Sequence, residues 1–271
     1  MREYQRIRVA RQGTTLTIAL AYPERRNAIG RIMTNELLWE LHDARADEGV
    51  RVIVLTGDGT TFCSGGDFAE LPLPWAGGAA PPPSARPSPS DLPSKGDFTD
   101  LLLGLWQSDK PVVARVNGHA MGGGLGLVAA CTFAIASTDA AFGTPEIDVG
   151  LFPMIIMAVL ERHVPRRRLL EMMLLGQKLD AAEAARLGLV NRAVGPEALD
   201  GEVEKLCAAL AAKSPTAVRL GLGAVAAQAD LALEEALPVL RERLGDILAT
   251  SDAREGLAAF LEKRTPRWTG S

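Results

Sequence analysis

"PVVARVNGHAMGGGLGLVAACTFAIAS", residues 111–137, joins two short apolar runs through four glycines placed within five positions. "PVVARV" and "TFAIAS" predict strands, and the stretch from the glycines to about Cys131 predicts a helix. Strand, glycine loop, helix and strand in that order predict an α/β fold. The glycines have several candidate uses. Gly124, Gly126 and Ala129 fit the dinucleotide pattern G-x-G-x-x-A, with Asp139 following. That pattern, however, wants its first glycine almost directly after the strand, and here "NGHAMGG" intervenes. Asp139 also lies only fifteen positions after Gly124, too close for a crossover helix plus a strand. A phosphate-binding P-loop is excluded because no Gly-Lys-Ser/Thr follows. There remain a close helix–strand contact and a helix start whose unpaired N–H groups face a developing negative charge.

A second loop bears on that choice. "TFCSGGDF", residues 61–68, follows the apolar run "VRVIVLTG". Two strand-then-glycine loops can each direct one N–H at a single oxygen, which is the geometry of an oxyanion hole.

Working outward, the first sixty residues predict β-β-α-β: "RIRVA", "TTLTIALAY", "GRIMTNELLWELHDARAD" and "VRVIVLTG". Residues 72–97, rich in Pro, Ala, Gly and Ser, lack the composition of a core and predict a long surface loop, a linker or a lid. "FTDLLLGLWQSD" predicts a helix, and "AFGTPEIDVGLFP" predicts an irregular connection. "DAAEAARLG" starts at a capping Asp180 and stops at Gly188. "GLVNRAV" predicts a last short strand, and helices run from there to the end. The organisation expected is an α/β core over 1–195 and a helical region over 196–271.

The composition of the 271 residues is that of an ordinary globular protein. Its net charge of −4 gives no basic excess for nucleic acid. Cys63, Cys131 and Cys207 are too few and odd in number for a disulfide framework, which points to the reducing cytoplasm. The charged N-terminus carries no apolar signal core, and no apolar run reaches membrane-spanning length. His42, His119 and His163 have no metal-ligand spacing, so no metal is expected. Cys63 lies in the first glycine loop without an evident His–Asp support and is expected to be a small core residue; His119, just before the second loop, is expected to pack.

These blocks together resemble the crotonase superfamily, the enoyl-CoA hydratase/isomerase family. The resemblance runs through "PERRNAIG" (23–30), "TFCSGGDF" (61–68), residues 110–137, "AFGTPEIDVGLFP" (141–153), "LDAAEAARLGLVNRAV" (179–194) and "AREGLAAFLEKRTPRW" (253–268). It implies a spiral of ββα repeats, with a helical C-terminal region that assembles homotrimers, often paired into homohexamers. It also implies an acyl-CoA thioester as substrate, coenzyme A being part of that substrate rather than a separate cofactor. By position, Gly66 and Gly123 correspond to the two backbone donors that polarise the thioester carbonyl. Arg26 and Ala28, with Arg25 behind them, correspond to the family's CoA-binding segment. Lys263 resembles a C-terminal lysine that reaches CoA phosphates, from a neighbouring subunit in some members. Asp67 is a candidate for orienting the loop or for contacting the adenine end.

One departure bears on the chemistry. Hydratases of this family use two glutamates around a water. The second falls in "P-E-x-x-x-G", which is "PEIDVG" here and assigns Glu146. The first lies two positions after the triple glycine, where this chain has Gly126. Glycine neither takes nor gives a proton, Asp148 is a weak substitute, and Asp139 is expected to be structural. A 1,3 shift of a double bond needs one base, whereas hydration also needs a positioned water. The expectation is an isomerase-like enzyme acting through Glu146. The alternatives are an atypical hydratase and an acyl-CoA binding protein without turnover.

Overall fold

The computed structural model describes residues 2–70 and 92–271. The strands are β1 (Ile7–Gln12), β2 (Thr15–Leu20), β3 (Val52–Gly57), β4 (Val112–Val116), β5 (Ala120–Met121), β6 (Phe133–Ser137), β7 (Ala141–Gly143), β8 (Leu179–Asp180) and β9 (Arg192–Val194). The helices of the first half are α1 (Arg31–Ala46), α2 (Phe98–Trp106), α3 (Gly123–Ala130), α4 (Met154–Leu160) and α5 (Arg166–Leu175). Those of the second are α6 (Ala181–Leu187), α7 (Leu199–Ala211), α8 (Pro215–Gln228), α9 (Leu233–Leu248) and α10 (Ser251–Leu261).

The larger sheet has the order β1-β2-β3-β4-β6-β9. Only β1 is antiparallel, paired with β2 through Ile7↔Leu20 to Gln12↔Thr15. The parallel strands are covered on both sides, which is why β3 opens with four apolar residues and is buried at every position. Ile53 and Leu55 face the main core, while Val52 and Val54 face α7 through Leu199, Val203 and Cys207. Helix α7, which begins beyond residue 195, thus packs on the sheet, and α8–α10 extend from there.

The second sheet is built from short rungs, β5-β7-β8. Isolated bridges extend it, pairing Cys63 with Ala120 and Ile29 with Gly66. Successive turns of the chain therefore place one strand in the large sheet and one rung beside it, the expected spiral. The rungs also correct one expectation: "AFGTPEIDVGLFP" is not wholly irregular, because Ala141–Gly143 pairs with both β5 and β8. Asp180 caps α6 by accepting from the Glu183 N–H at 2.7 Å, and Gly188 closes it with a positive φ of 86°. Of the Pro/Gly/Ser-rich stretch 72–97, residues 72–91 lie outside the described residues. Residues 92–97 lie along α1, where the carbonyl of Pro93 accepts from Trp39 Nε1 at 2.8 Å.

Asn27 ties the segment 23–30 to the turn after β3. It is fully buried with a positive φ of 56°, a conformation that asparagine tolerates better than most residues. Its Nδ2 donates to the carbonyls of Asp58 at 2.9 Å and Thr61 at 2.8 Å, and its Oδ1 accepts from the Tyr22 N–H at 2.9 Å. Asn27→Ala strands these groups and leaves a Cβ in the left-handed region. We expect a loss of about 2–4 kcal/mol, measured as a lower denaturant midpoint at unchanged slope.

Candidate active site

Both glycine loops leave the carboxyl ends of neighbouring strands, β3 and β4, and meet. The first is pinned on both sides of Gly66. The Ile29 N–H donates to the Gly65 carbonyl at 2.8 Å, and the Asp67 N–H donates to the Ile29 carbonyl at 2.8 Å. In the second, the Gly122 N–H donates to the Gly143 carbonyl at 2.9 Å, and the Gly126 N–H closes the first turn of α3 on the Gly122 carbonyl at 3.1 Å. Among the described residues, neither the Gly66 N–H nor the Gly123 N–H has an acceptor. Gly123 is the first residue of α3, where a helix leaves its donors unmet. Both glycines line one cavity of about 600 Å³.

The loops approach so closely that glycine is required at two places. Gly122 has a φ of 49°, and its Cα faces the Cα of Gly65. A Cβ on Gly124 would stand 2.5 Å from Cys63 Cβ and 2.8 Å from the Cys63 carbonyl oxygen. Two of the uses weighed from sequence therefore coexist: Gly124 permits a close packing contact, and Gly123 presents a donor. Cys63 is buried, and burial pushes its thiol pKa up to about 12, so it stays protonated near neutrality. His119 Nδ1 accepts from the Ala141 N–H at 3.1 Å and holds the start of β7.

Glu146 stands in the 3₁₀ turn Pro145–Val149 that follows β7, closed by Gly150 at a φ of 75°. Its carboxylate faces the Cα of Gly122: a Cβ there would lie 2.8 Å from Oε1. Its Oε2 is buried and has no hydrogen-bond partner among the described residues. Burial raises the Glu146 pKa above the ordinary 4.5, and only a backbone N–H works against it. Glu146 is half-buried and stands beside the Gly122–Gly124 loop rather than in the lining of the cavity. A carboxylate with one buried, unpaired oxygen next to unspent donors is the arrangement expected of a proton-transfer group.

The other acids are accounted for. Asp148 is turned to the end of α5, where a Cβ on Gly176 would meet its Oδ1 at 3.1 Å. The Asp139 backbone N–H is held by Ser137 Oγ at 3.2 Å. Asp67 lines the cavity but is buried, and its Oδ1 takes Arg25 Nη2 at 2.9 Å and the Ala69 N–H at 3.1 Å. Its geometry is that of a residue orienting the loop. Glu70, which sequence reasoning missed, lines the cavity and caps α1 by accepting from the Arg31 N–H at 2.6 Å.

Arg26, at a φ of 50°, and the buried Ala28 flank Asn27 beside the first loop, but neither lines the cavity. Lys263 follows α10, which packs on α8 and α9, and no lining residue comes from those three helices. Within one chain the structure does not bring Lys263 to this site. The apolar wall comes from Ile29, Ile32, Leu92, Phe98 and Ile155. Ile155 lies in "LFPMIIMAVL" (151–160), a run whose place after Glu146 suits either an acyl-pocket lining or a buried helix, whereas Phe98 gave no signal beyond its place in an apolar helical run.

Gly126 is buried at the end of the first turn of α3. A Cβ there would overlap Ile156 Cγ2 and stand 3.1 Å from Ile156 Cβ and 3.6 Å from Leu102 Cδ2. The place of a side chain at 126 is filled from α4.

Among the described residues no group of three or more His, Cys, Asp or Glu is placed to hold a metal, and no described helix is long and apolar enough to cross a membrane. The family model for enoyl-CoA hydratase/isomerase matches residues 10–271. A human protein, enoyl-CoA hydratase domain-containing protein 3, mitochondrial, is 32% identical over 93% of this chain and 80% of its own length. The crystal structure of an enoyl-CoA hydratase from Mycobacterium smegmatis is similar with a TM-score of 0.86 at 32% identity, covering 97% of this chain and 99% of that one. An enoyl-CoA hydratase from Polaromonas sp. JS666 gives 0.85 at 30% identity, with 97% and 99% covered.

Proposed function

Because the chain belongs to the enoyl-CoA hydratase/isomerase family, we propose that it moves a double bond in an enoyl-CoA thioester between the β,γ and α,β positions, using Glu146 as its single acid–base group. The observation that carries this reading is the contrast between two positions. Glu146 is a half-buried carboxylate with a buried, unpaired Oε2 beside the glycine loop, and Gly126 offers no second carboxylate.

In this reading the Glu146 carboxylate takes a proton from C2. The C–H electrons move into the thioester carbonyl, and its oxygen gains negative charge. The N–H groups of Gly66 and Gly123 donate to that oxygen and stabilise the dienolate. Glu146 then returns the proton to C4, the carbonyl re-forms, and the double bond rests between C2 and C3. Electrons and protons balance within the substrate, so the shift calls for no cofactor beyond the coenzyme A that the thioester carries.

Arg26, Ala28 and Asp67 belong to the proposal as the CoA side of the site, supported by their position beside the Gly66 loop. Lys263 belongs to it only as a residue supplied by a neighbouring copy. A homotrimer or homohexamer is supported by the exposed Leu233, Leu237, Leu244 and Leu248 of α9 and by Leu257, Phe260 and Leu261 at α10. A cytoplasmic setting is supported by three free, buried cysteines.

A second reading, hydration, is favoured by the names of the relatives, which read enoyl-CoA hydratase. Purified protein given a cis-3-enoyl-CoA is expected to form the trans-2 isomer, and given a trans-2-enoyl-CoA to form little 3-hydroxyacyl-CoA. Dominant hydration of the second substrate overturns the isomerase reading. Binding of both without turnover favours the non-catalytic one. The pH profile is a further check. The base must be ionised, so kcat/KM for isomerisation should rise with pH, with its midpoint above 4.5 because burial raises the Glu146 pKa. A midpoint at or below the ordinary carboxylate value contradicts the assignment.

A further inference from the structure

We infer that Ile156 is the specificity-determining residue of this site: it fills the space in which a second proton-exchange group and its water would stand, and so bars hydration. The inference rests on the isomerase reading above and names the side chain that enforces it.

Gly126 alone explains only a missing carboxylate. A glycine in an otherwise unchanged site leaves a gap that a water can enter. Here that space is crowded: a Cβ on Gly126 would overlap Ile156 Cγ2, Ile156 Cβ stands 3.1 Å from its position, and Leu102 Cδ2 lies at 3.6 Å on the α2 side. Ile156 is itself 3% exposed, and its neighbour Ile155 lines the cavity that holds the two glycine donors. The atoms nearest a side chain at 126 are therefore all aliphatic carbons of Ile156 and Leu102. A held water needs two to four polar partners, and none of these groups is one. Isoleucine is also β-branched and stiff at χ1, so it does not swing aside as a leucine or methionine can. Gly126 and Ile156 act as a matched pair, one withdrawing a side chain from α3 and the other advancing one from α4.

The pair makes a prediction that a missing glutamate alone does not. Restoring the carboxylate by Gly126→Glu should not give hydration, because the new side chain meets Ile156. Gly126→Glu combined with Ile156→Ala should give it, with hydration of a trans-2-enoyl-CoA rising about 10²-fold over the unmodified protein. Ile156→Ala alone should give no such gain. Each variant is assayed with a trans-2-enoyl-CoA and a cis-3-enoyl-CoA, with circular dichroism and melting to confirm folding. Should the double variant not fold, Ile156→Glu delivers a carboxylate into the same space from α4 and is expected to gain hydration as well. Gly126→Glu hydrating as fast as the double variant overturns the inference. So does a folded double variant, or a folded Ile156→Glu, whose hydration stays at the starting level. An unmodified protein that mainly hydrates is a separate result: it removes the isomerase reading before any variant is compared.

Discussion

Glu146→Gln is expected to lower kcat for conversion of a cis-3- to a trans-2-enoyl-CoA by about 10²–10⁴-fold or more, while leaving acyl-CoA affinity nearly unchanged. Glutamine keeps the size and reach of the side chain but accepts no proton at the pH of the reaction. The thioester donors and the apolar wall are untouched, so binding should persist. The same substitution should stabilise the empty protein near neutral pH. Burial raises the folded-state pKa of Glu146 above its unfolded value, and Oε2 has no partner among the described residues. The stability contributed by the protonated form is fully present below the unfolded pKa and is lost as pH rises through the folded pKa. Above its folded-state pKa the Glu146 carboxylate is an unpaired, partly desolvated charge that glutamine removes. The variant should melt above the unmodified protein at pH 7, and the gap should narrow toward pH 4. Retained activity removes Glu146 from the mechanism. An unchanged melting temperature at both pH values removes the account of its charge.

Gly123→Pro is expected to lower kcat by about 10²–10³-fold, the effect of deleting one oxyanion donor. The position suits the test. It is the first residue of α3, where proline is best tolerated and where the lost N–H has no intrahelical acceptor. Gly123→Ala is the control, because it keeps the N–H and brings a Cβ to 3.3 Å from Phe98 Cζ, a crowding that a small ring movement relieves. If alanine and proline reduce kcat equally, the loss reports crowding against Phe98 and not a missing donor. If proline raises KM with kcat unchanged, the N–H holds the ground state and not the dienolate.

Much of this site was legible because it is local. The strand-then-glycine pattern occurs twice within single stretches of sequence, and Gly126 stands a fixed two positions after the triple glycine. The cap at Asp180 and the stop at Gly188 were equally local. What escaped depends on contacts between distant positions or on very short elements. Ile156 lies thirty positions from Gly126 and looks like any apolar residue in "FPMIIMAVL". Asn27 reads as an ordinary turn residue until the turn after β3 closes over it. The rungs β5, β7 and β8 span two or three residues each, too few for alternation to register. Glu70 was missed because its role depends on where α1 begins.

The donors at 66 and 123 are main-chain groups, and this has a consequence for how such a chain can change over generations. Among the described residues nothing lies within 4 Å of the place a Cβ would occupy on Gly66, so the contacts seen there do not require glycine. Inheritance of the charge-stabilising apparatus is therefore loosely tied to sequence, apart from proline, while Gly122 and Gly124 are tightly constrained by the backbone's own geometry. The positions that we propose select among reactions are different ones, 126, 146 and 156. Drift at those few sites can exchange one proton-transfer chemistry for another without dismantling the part that makes thioester enolates accessible.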